Sequence, residues 1–132
     1  MVQQSESVLL NDYLEKTYRK HLQWKHVRIG LVGTPDELKF YSSLRRWVDA
    51  VVLDDREIVL IEAKLVPDPR AVGQLEYYKT IFSSTPEFSE FANYPIRLEL
   101  LVPTEDQQLR AYCEQRGIKF VVWTISTQKP LS

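Results

Sequence analysis

Two periods of hydrophobic and polar positions alternate along this chain, and the switches between them mark out its elements. Over residues 5–21 the period is helical. At about 100° per residue, Leu10, Leu14, Thr17 and His21 share one face, flanked by Tyr13 and Tyr18. Ser5 stands where a helix N-cap would accept a free amide. Residues 24–32 change to a period of two, with Val27, Ile29 and Leu31 alternating against Trp24, His26 and Arg28, which predicts a strand. Thr34 and Pro35 head a loop or a short helical turn. Two Val- and Ile-rich runs then flank Asp54 and Asp55, the pattern of a β-hairpin. Pro67 and Pro69 hold a loop, and residues 72–82 return to the helical period. A strand is predicted from Ile96. A second N-terminal signal follows, with Thr104 and Gln107 as a capping box and Gly117 at the far end as C′. Residues 118–125 close the chain as a strand.

The predicted order is helix, strand, hairpin of two strands, helix, strand, helix, strand. Alternation of strands and helices in the second half implies parallel pairing through crossovers, whereas the hairpin is antiparallel. The expected fold class is therefore α/β, a mixed central sheet flanked by helices, in a single domain spanning residues 1–132. Composition adds exclusions. The 17 Lys and Arg against 18 Asp and Glu, a net charge of −1, argue against a general polyanion binder, although charge concentrated on one face remains compatible with nucleic acid. The single Cys113 allows no internal disulfide. No apolar run reaches the roughly 20 residues of a membrane span, and a reducing, cytoplasmic setting is expected.

Chemistry enters at the end of the hairpin's second strand, "REIVLIEAK". Strands buried on both faces rarely carry charge, yet this one closes on Glu62 and Lys64, two residues apart and therefore on one face. Asp49 interrupts the apolar run of the first hairpin strand. With the turn centred on residues 54–56, Asp49 is expected opposite a residue near Ile61 and thus close to Glu62. Two carboxylates held together repel unless a proton or a cation lies between them. A lysine beside them suits the cation, because an ammonium can orient a metal-bound water. A solvated surface ion pair is the plain alternative for Glu62 and Lys64.

The run "VDAVVLDDREIVLIEAK" resembles the core of the PD-(D/E)XK nuclease superfamily, in which an Asp on one hairpin strand precedes Glu-x-Lys on the next. Downstream, Gln74 and Tyr78 in "GQLEYY" resemble the Gln-x-x-x-Tyr helix motif of RecB-like exonucleases. The resemblance spans residues 5–102 and implies an αβββαβ core. It further implies a Mg²⁺- or Mn²⁺-dependent DNA endo- or exonuclease of recombination, repair, phage or mobile-element processing. Asp49, Glu62, the carbonyl of Ala63 and an acid of the first helix would hold metal. Glu6, at the edge of that helix's core-facing side, is preferred over Glu15. Lys64 would position the attacking water, and Gln74 would orient Lys64 or the phosphate. Literal Pro-Asp pairs occur at Pro35-Asp36 and Pro67-Asp68, but Asp49 is preferred over Asp36 because it belongs to the hairpin. Arg45, Arg46, Arg70 and Lys79 flank the site in sequence as phosphate contacts. His21 and His26 could assist, although packing is the expected role for both, and Trp24, Trp47 and Trp123 are expected in the core. The alternative reading keeps the fold as a DNA-binding or assembly module without turnover. Sequence choice would come from a homodimer, a partner subunit or DNA structure.

Overall fold

Helix α1, Glu6–Thr17, begins where Ser5 was expected to cap it, its Oγ accepting the Val8 amide at 3.1 Å. It buries Leu9, Leu10, Tyr13 and Leu14, while Thr17 is exposed. The helix stops short of residue 21 because Tyr18 leaves the helical conformation at φ −122°. Freed from helical phase, the Tyr18 ring stands edge-on to Tyr13 with centroids 5.8 Å apart. The computed structural model from which these facts come describes residues 5–33 and 45–125. The turn expected at Thr34 and Pro35 lies outside them.

Five strands form one sheet in sequence order: β1 (Leu22–Ile29), β2 (Arg46–Asp54), β3 (Glu57–Ala63), β4 (Ile96–Val102) and β5 (Ile118–Val122). The pairs β1·β2 and β2·β3 are antiparallel, and β3·β4 and β4·β5 are parallel. Parallel neighbours need a long connection. Helix α2 (Arg70–Phe82) with a 3₁₀ segment (Pro86–Phe91) supplies the first, and helix α3 (Gln107–Gln115) supplies the second. Leu60, Leu98, Leu100 and Val102 meet α2 and α3 on one face. Val59, Ile61, Ala63 and Leu101 meet α1 on the other. The expected mixed sheet with helices on both faces is the one observed, and β3, covered on both sides, reads as an unbroken apolar run until Glu62.

The capping box expected at Thr104 and Gln107 does not form. Asp106 caps α3 instead, its Oδ1 accepting the Leu109 amide at 3.0 Å. A carboxylate satisfies that amide and also meets the positive end of the helix dipole, which a threonine hydroxyl cannot do. Gly117 follows at φ 72°, the left-handed turn for which glycine was assigned.

One charge is fully buried away from the hairpin end. Glu99 on β4 is 0% exposed and accepts hydrogen bonds from the Tyr13 hydroxyl at 2.6 Å, the Tyr18 hydroxyl at 2.7 Å and Arg97 Nε at 3.3 Å. Arg97 also binds Asp54 and Glu57, so the buried acid ends in a shared cationic hub. Burial and then the Glu99 charge push the Tyr18 hydroxyl up to about 12. Buried charges persist only when so satisfied. Tyr13→Phe should therefore lower unfolding free energy by about 2 kcal/mol in urea titration. An unchanged midpoint would mean that the hydroxyl contributes nothing to holding this charge.

Candidate active site

The hairpin turns through Asp55 and Arg56, with Asp55 at φ 58°, and its ladder runs from Asp54↔Glu57 to Ala50↔Ile61. Continuing that register sets Asp49 against Glu62, one residue beyond the expected Ile61. Here the two side chains take over the ladder's hydrogen bonds. The Ala63 amide donates to Asp49 Oδ2 at 2.8 Å, and the Asp49 amide donates to Glu62 Oε1 at 3.4 Å. Each carboxylate is thus fixed by the backbone of the neighbouring strand.

Glu62 is only 5% exposed. Burial first, then the charge of Asp49, pushes its carboxyl up to about 8. Lys64 follows on the same face, and its Nζ lies 4.0 Å from Glu62 Oε2. The Lys64 amide donates to the Leu101 carbonyl at 2.9 Å, which keeps the chain extended past the end of β3. The expected neighbours Asp49, Glu62, Ala63 and Lys64 are therefore together at one end of the sheet.

Glu6, in the first turn of α1, is exposed, and its Oε2 accepts the Leu65 amide at 3.3 Å. It lines a cleft of about 560 Å³ with Asp49, Asn11, Lys25 and His26. Lys25 Nζ donates to Asn11 Oδ1 at 3.1 Å across that cleft. Glu15 faces solvent, 3.9 Å from Arg19. Among the described residues no three His, Cys, Asp or Glu side chains converge closely enough to enclose an ion. The donor set is accordingly two hard carboxylates, Asp49 and Glu62, with Glu6 on the cleft wall. Carboxylate oxygens of this kind, one of them buried and crowded by a like charge, are the donors a hard divalent cation would take.

The Gln-x-x-x-Tyr helix delivers its tyrosine and not its glutamine. Gln74 is exposed and makes no hydrogen bond to Glu62 or Lys64, so it does not point toward the sheet as expected. The buried stripe of α2 is Ala71, Val72, Leu75, Tyr78 and Phe82, and Gln74 falls beside that stripe, not on it. Tyr78 reaches the carboxylates instead. Burial, then the charges of Glu62 and Asp49, push its hydroxyl up to about 12. Spacing from Leu75 and Phe82 could have found it, because both share its stripe.

The basic residues part company. Arg45 is ion-paired with Glu87 at 2.6 Å, and Arg70 with Asp68 at 3.0 Å, so both carry their own counter-charge. Arg46 is exposed with its guanidinium 5.7 Å from the Tyr77 ring centroid, and Lys79 is exposed on α2. Trp24 packs in the core as expected, whereas Trp47 is 47% exposed and stacks on His26. Trp123 is half-buried and donates to Asp12 at 2.8 Å. Asp36 lies outside the described residues.

No family model matches the sequence, and no curated protein does so. Solved structures do match. A repair endonuclease from Pyrococcus abyssi superposes with a TM-score of 0.58 at 16% identity, over 94% of this chain and 49% of that one. EndoMS in complex with double-stranded DNA gives 0.58 at 17% identity, over 97% and 48%. EndoMS in its apo form gives 0.53 at 20% identity, over 96% and 49%. The chain spans about half the length of these proteins and shares the α/β fold of that half.

Proposed function

We propose that this chain is a divalent-metal-dependent deoxyribonuclease that hydrolyses a phosphodiester at the Asp49–Glu62–Lys64 end of the sheet. The observation that carries this reading is the buried Glu62 carboxylate, fixed against Asp49 with an ammonium 4.0 Å away. No structural element requires that arrangement, since β3 would be more stable ending in apolar residues. The neighbours add support from fold: one is described as a repair endonuclease, and another was solved with double-stranded DNA.

Asp49 and Glu62 would hold the ion, with the Ala63 carbonyl and Glu6 as further oxygens at the rim. A bound Mg²⁺ or Mn²⁺ would lower the pKa of water and neutralise charge on the phosphate. Lys64, on the Glu62 face, donates to the water or to the phosphoryl oxygens as charge builds on them. The buried Tyr78 hydroxyl, close enough to feel the charges of Glu62 and Asp49, is pushed up to about 12 and stays protonated at working pH. Arg46 and Lys79, both exposed, are the better phosphate contacts of the four first considered, since Arg45 and Arg70 are paired with Glu87 and Asp68.

Calorimetric titration with Mn²⁺ tests the metal. Wild type should bind with release of protons, because Glu62 must give up its own, and Asp49→Asn should lose at least tenfold in affinity. Equal affinity in the variant would sink the assignment. Incubation with linear, circular, single-stranded and branched DNA, in Mg²⁺, Mn²⁺ or EDTA, tests the reaction and separates endo- from exonucleolytic cutting. Metal binding without cleavage of any of these would favour a module that keeps the fold without turnover.

A further inference from the structure

His26 takes no part in the machinery above, yet the backbone is distorted at its position. The β1·β2 ladder pairs Lys25 with Ala50 and Val27 with Val48, and the rung between, His26 opposite Asp49, is missing. At that rung His26 has φ 53°, the left-handed region that a side-chain-bearing residue in a strand does not adopt without strain. Trp24 and Val27 enter the same core, as do Val48 and Val51, so both strands lose their period of two at this one point. The imidazole is then laid flat on Trp47, with ring centroids 4.2 Å apart and planes 8° from parallel.

The place where the ring ends up is specific. His26 lines the carboxylate cleft beside Glu6, Asp49 and Lys25, and it also lines an adjoining hollow of about 450 Å³ with Arg28, Arg45 and Trp47. It forms the divide between the two. On the cleft side stands Lys25; on the other, the Arg28 guanidinium lies 4.9 Å from the Trp47 ring centroid. A surface aromatic pair explains the stacking. It does not explain why the strand is bent into a left-handed conformation to put a hydrogen-bonding ring beside Asp49, because ordinary strand geometry would stack the rings equally well.

We infer that His26 is a substrate-phosphate contact. Its ring N–H donates to a non-bridging oxygen of the phosphodiester next to the one that is cut, and the nucleic-acid strand runs from the cleft across His26 and Trp47 into the hollow beside Arg28. This rests on the nuclease reading above and adds the path of the strand. The proposal needs no change of charge, since a neutral imidazole carries one donor. The acids Glu6 and Asp49 line the cleft together with Lys25, and Arg28 lines the hollow on the other side of His26.

Two variants and one modified substrate test it. His26→Gly removes the ring and the strain together; His26→Asn tolerates the left-handed backbone and keeps a donor. The readouts are thermal midpoint, binding of a fluorescein-labelled oligonucleotide in EDTA, and steady-state cleavage in Mn²⁺. His26→Gly should melt at or above the wild-type temperature, bind about tenfold more weakly and raise KM about tenfold with kcat within threefold, the pattern of lost uniform binding. His26→Asn should recover most of that affinity. A single methylphosphonate placed at the adjoining phosphate should weaken wild-type binding by the same factor and His26→Gly not at all. Wild-type binding and KM in His26→Gly would overturn the proposal, and so would a lowered melting temperature in both variants, which would make the residue structural. A wild-type protein that binds the oligonucleotide and never cuts it would refute the nuclease reading, and the binding arms would still decide His26.

Discussion

Lys64→Ala should leave a folded protein that binds Mn²⁺ and DNA yet cleaves roughly a hundredfold more slowly, about 3 kcal/mol of lost transition-state stabilisation. The expectation follows from where the ammonium sits. Its Nζ is 4.0 Å from Glu62 Oε2, too far for a hydrogen bond, so it is not what fixes the carboxylate. That task falls to the Asp49 amide, while the Ala63 amide holds Asp49 in turn. An ammonium beside the proposed ion site without being tied to it would be free to follow charge onto the phosphate. Lys64→Arg should not restore the rate, because a planar fork cannot take the place of a compact point charge in a space of water size. A surface ion pair predicts the reverse pattern, at most about 1 kcal/mol of stability and no effect on rate. Cleavage by Lys64→Ala at the wild-type rate would refute the mechanism.

The second large effect is one of stability. Glu62 in the folded chain is pushed up to about 8 from 4.5, by burial and then by Asp49. Below the lower value the side chain is neutral in folded and unfolded chains alike, and nothing is lost. As pH rises toward 8 the unfolded chain releases its proton while the folded one must retain it or bury a charge, so folding stability declines across that window. Glu62→Gln removes the titration and keeps an oxygen for the Asp49 amide. In EDTA the variant should match wild type near pH 4.5 and exceed it by roughly 2–4 kcal/mol near pH 9. Saturating Mn²⁺ should reverse the order, because only wild type gains from binding. Parallel pH profiles for the two proteins in EDTA would show that Glu62 is not strained in the native state.

Much of this was legible in the chain because its signals are local. The hairpin, the Ser5 cap, the Gly117 turn and the parallel crossovers all follow from spacing and residue type, and with them the meeting of Asp49, Glu62 and Lys64. What was missed depends on long-range packing. The Arg45–Glu87 pair joins residues 42 apart, and no pattern near Arg45 announces that its charge is already matched. Gln74 and Tyr78 lie four apart on one helix, so periodicity alone places both on one face; the width of the buried stripe, set by the sheet beneath, admits only the tyrosine. His26 looked like one more alternating strand position, since nothing in a sequence reports a positive φ at a residue other than glycine.

The hairpin loop has a consequence for how this chain tolerates change. Asp55 and Arg56 lie six residues from the carboxylates, about 20 Å at strand spacing. They touch nothing at the site, yet the count of residues between Asp49 and Glu62 is a ruler whose unit is a single rung. One insertion in that loop, the exposed place where insertions are normally harmless, would slide one strand against the other and turn Asp49 or Glu62 to the opposite face. Lengthening by two residues would keep the faces but shift the register. The loop is thus a stretch whose length is held more tightly than its chemistry, apart from the left-handed turn at Asp55, and the spacing between the two acids is inherited through it.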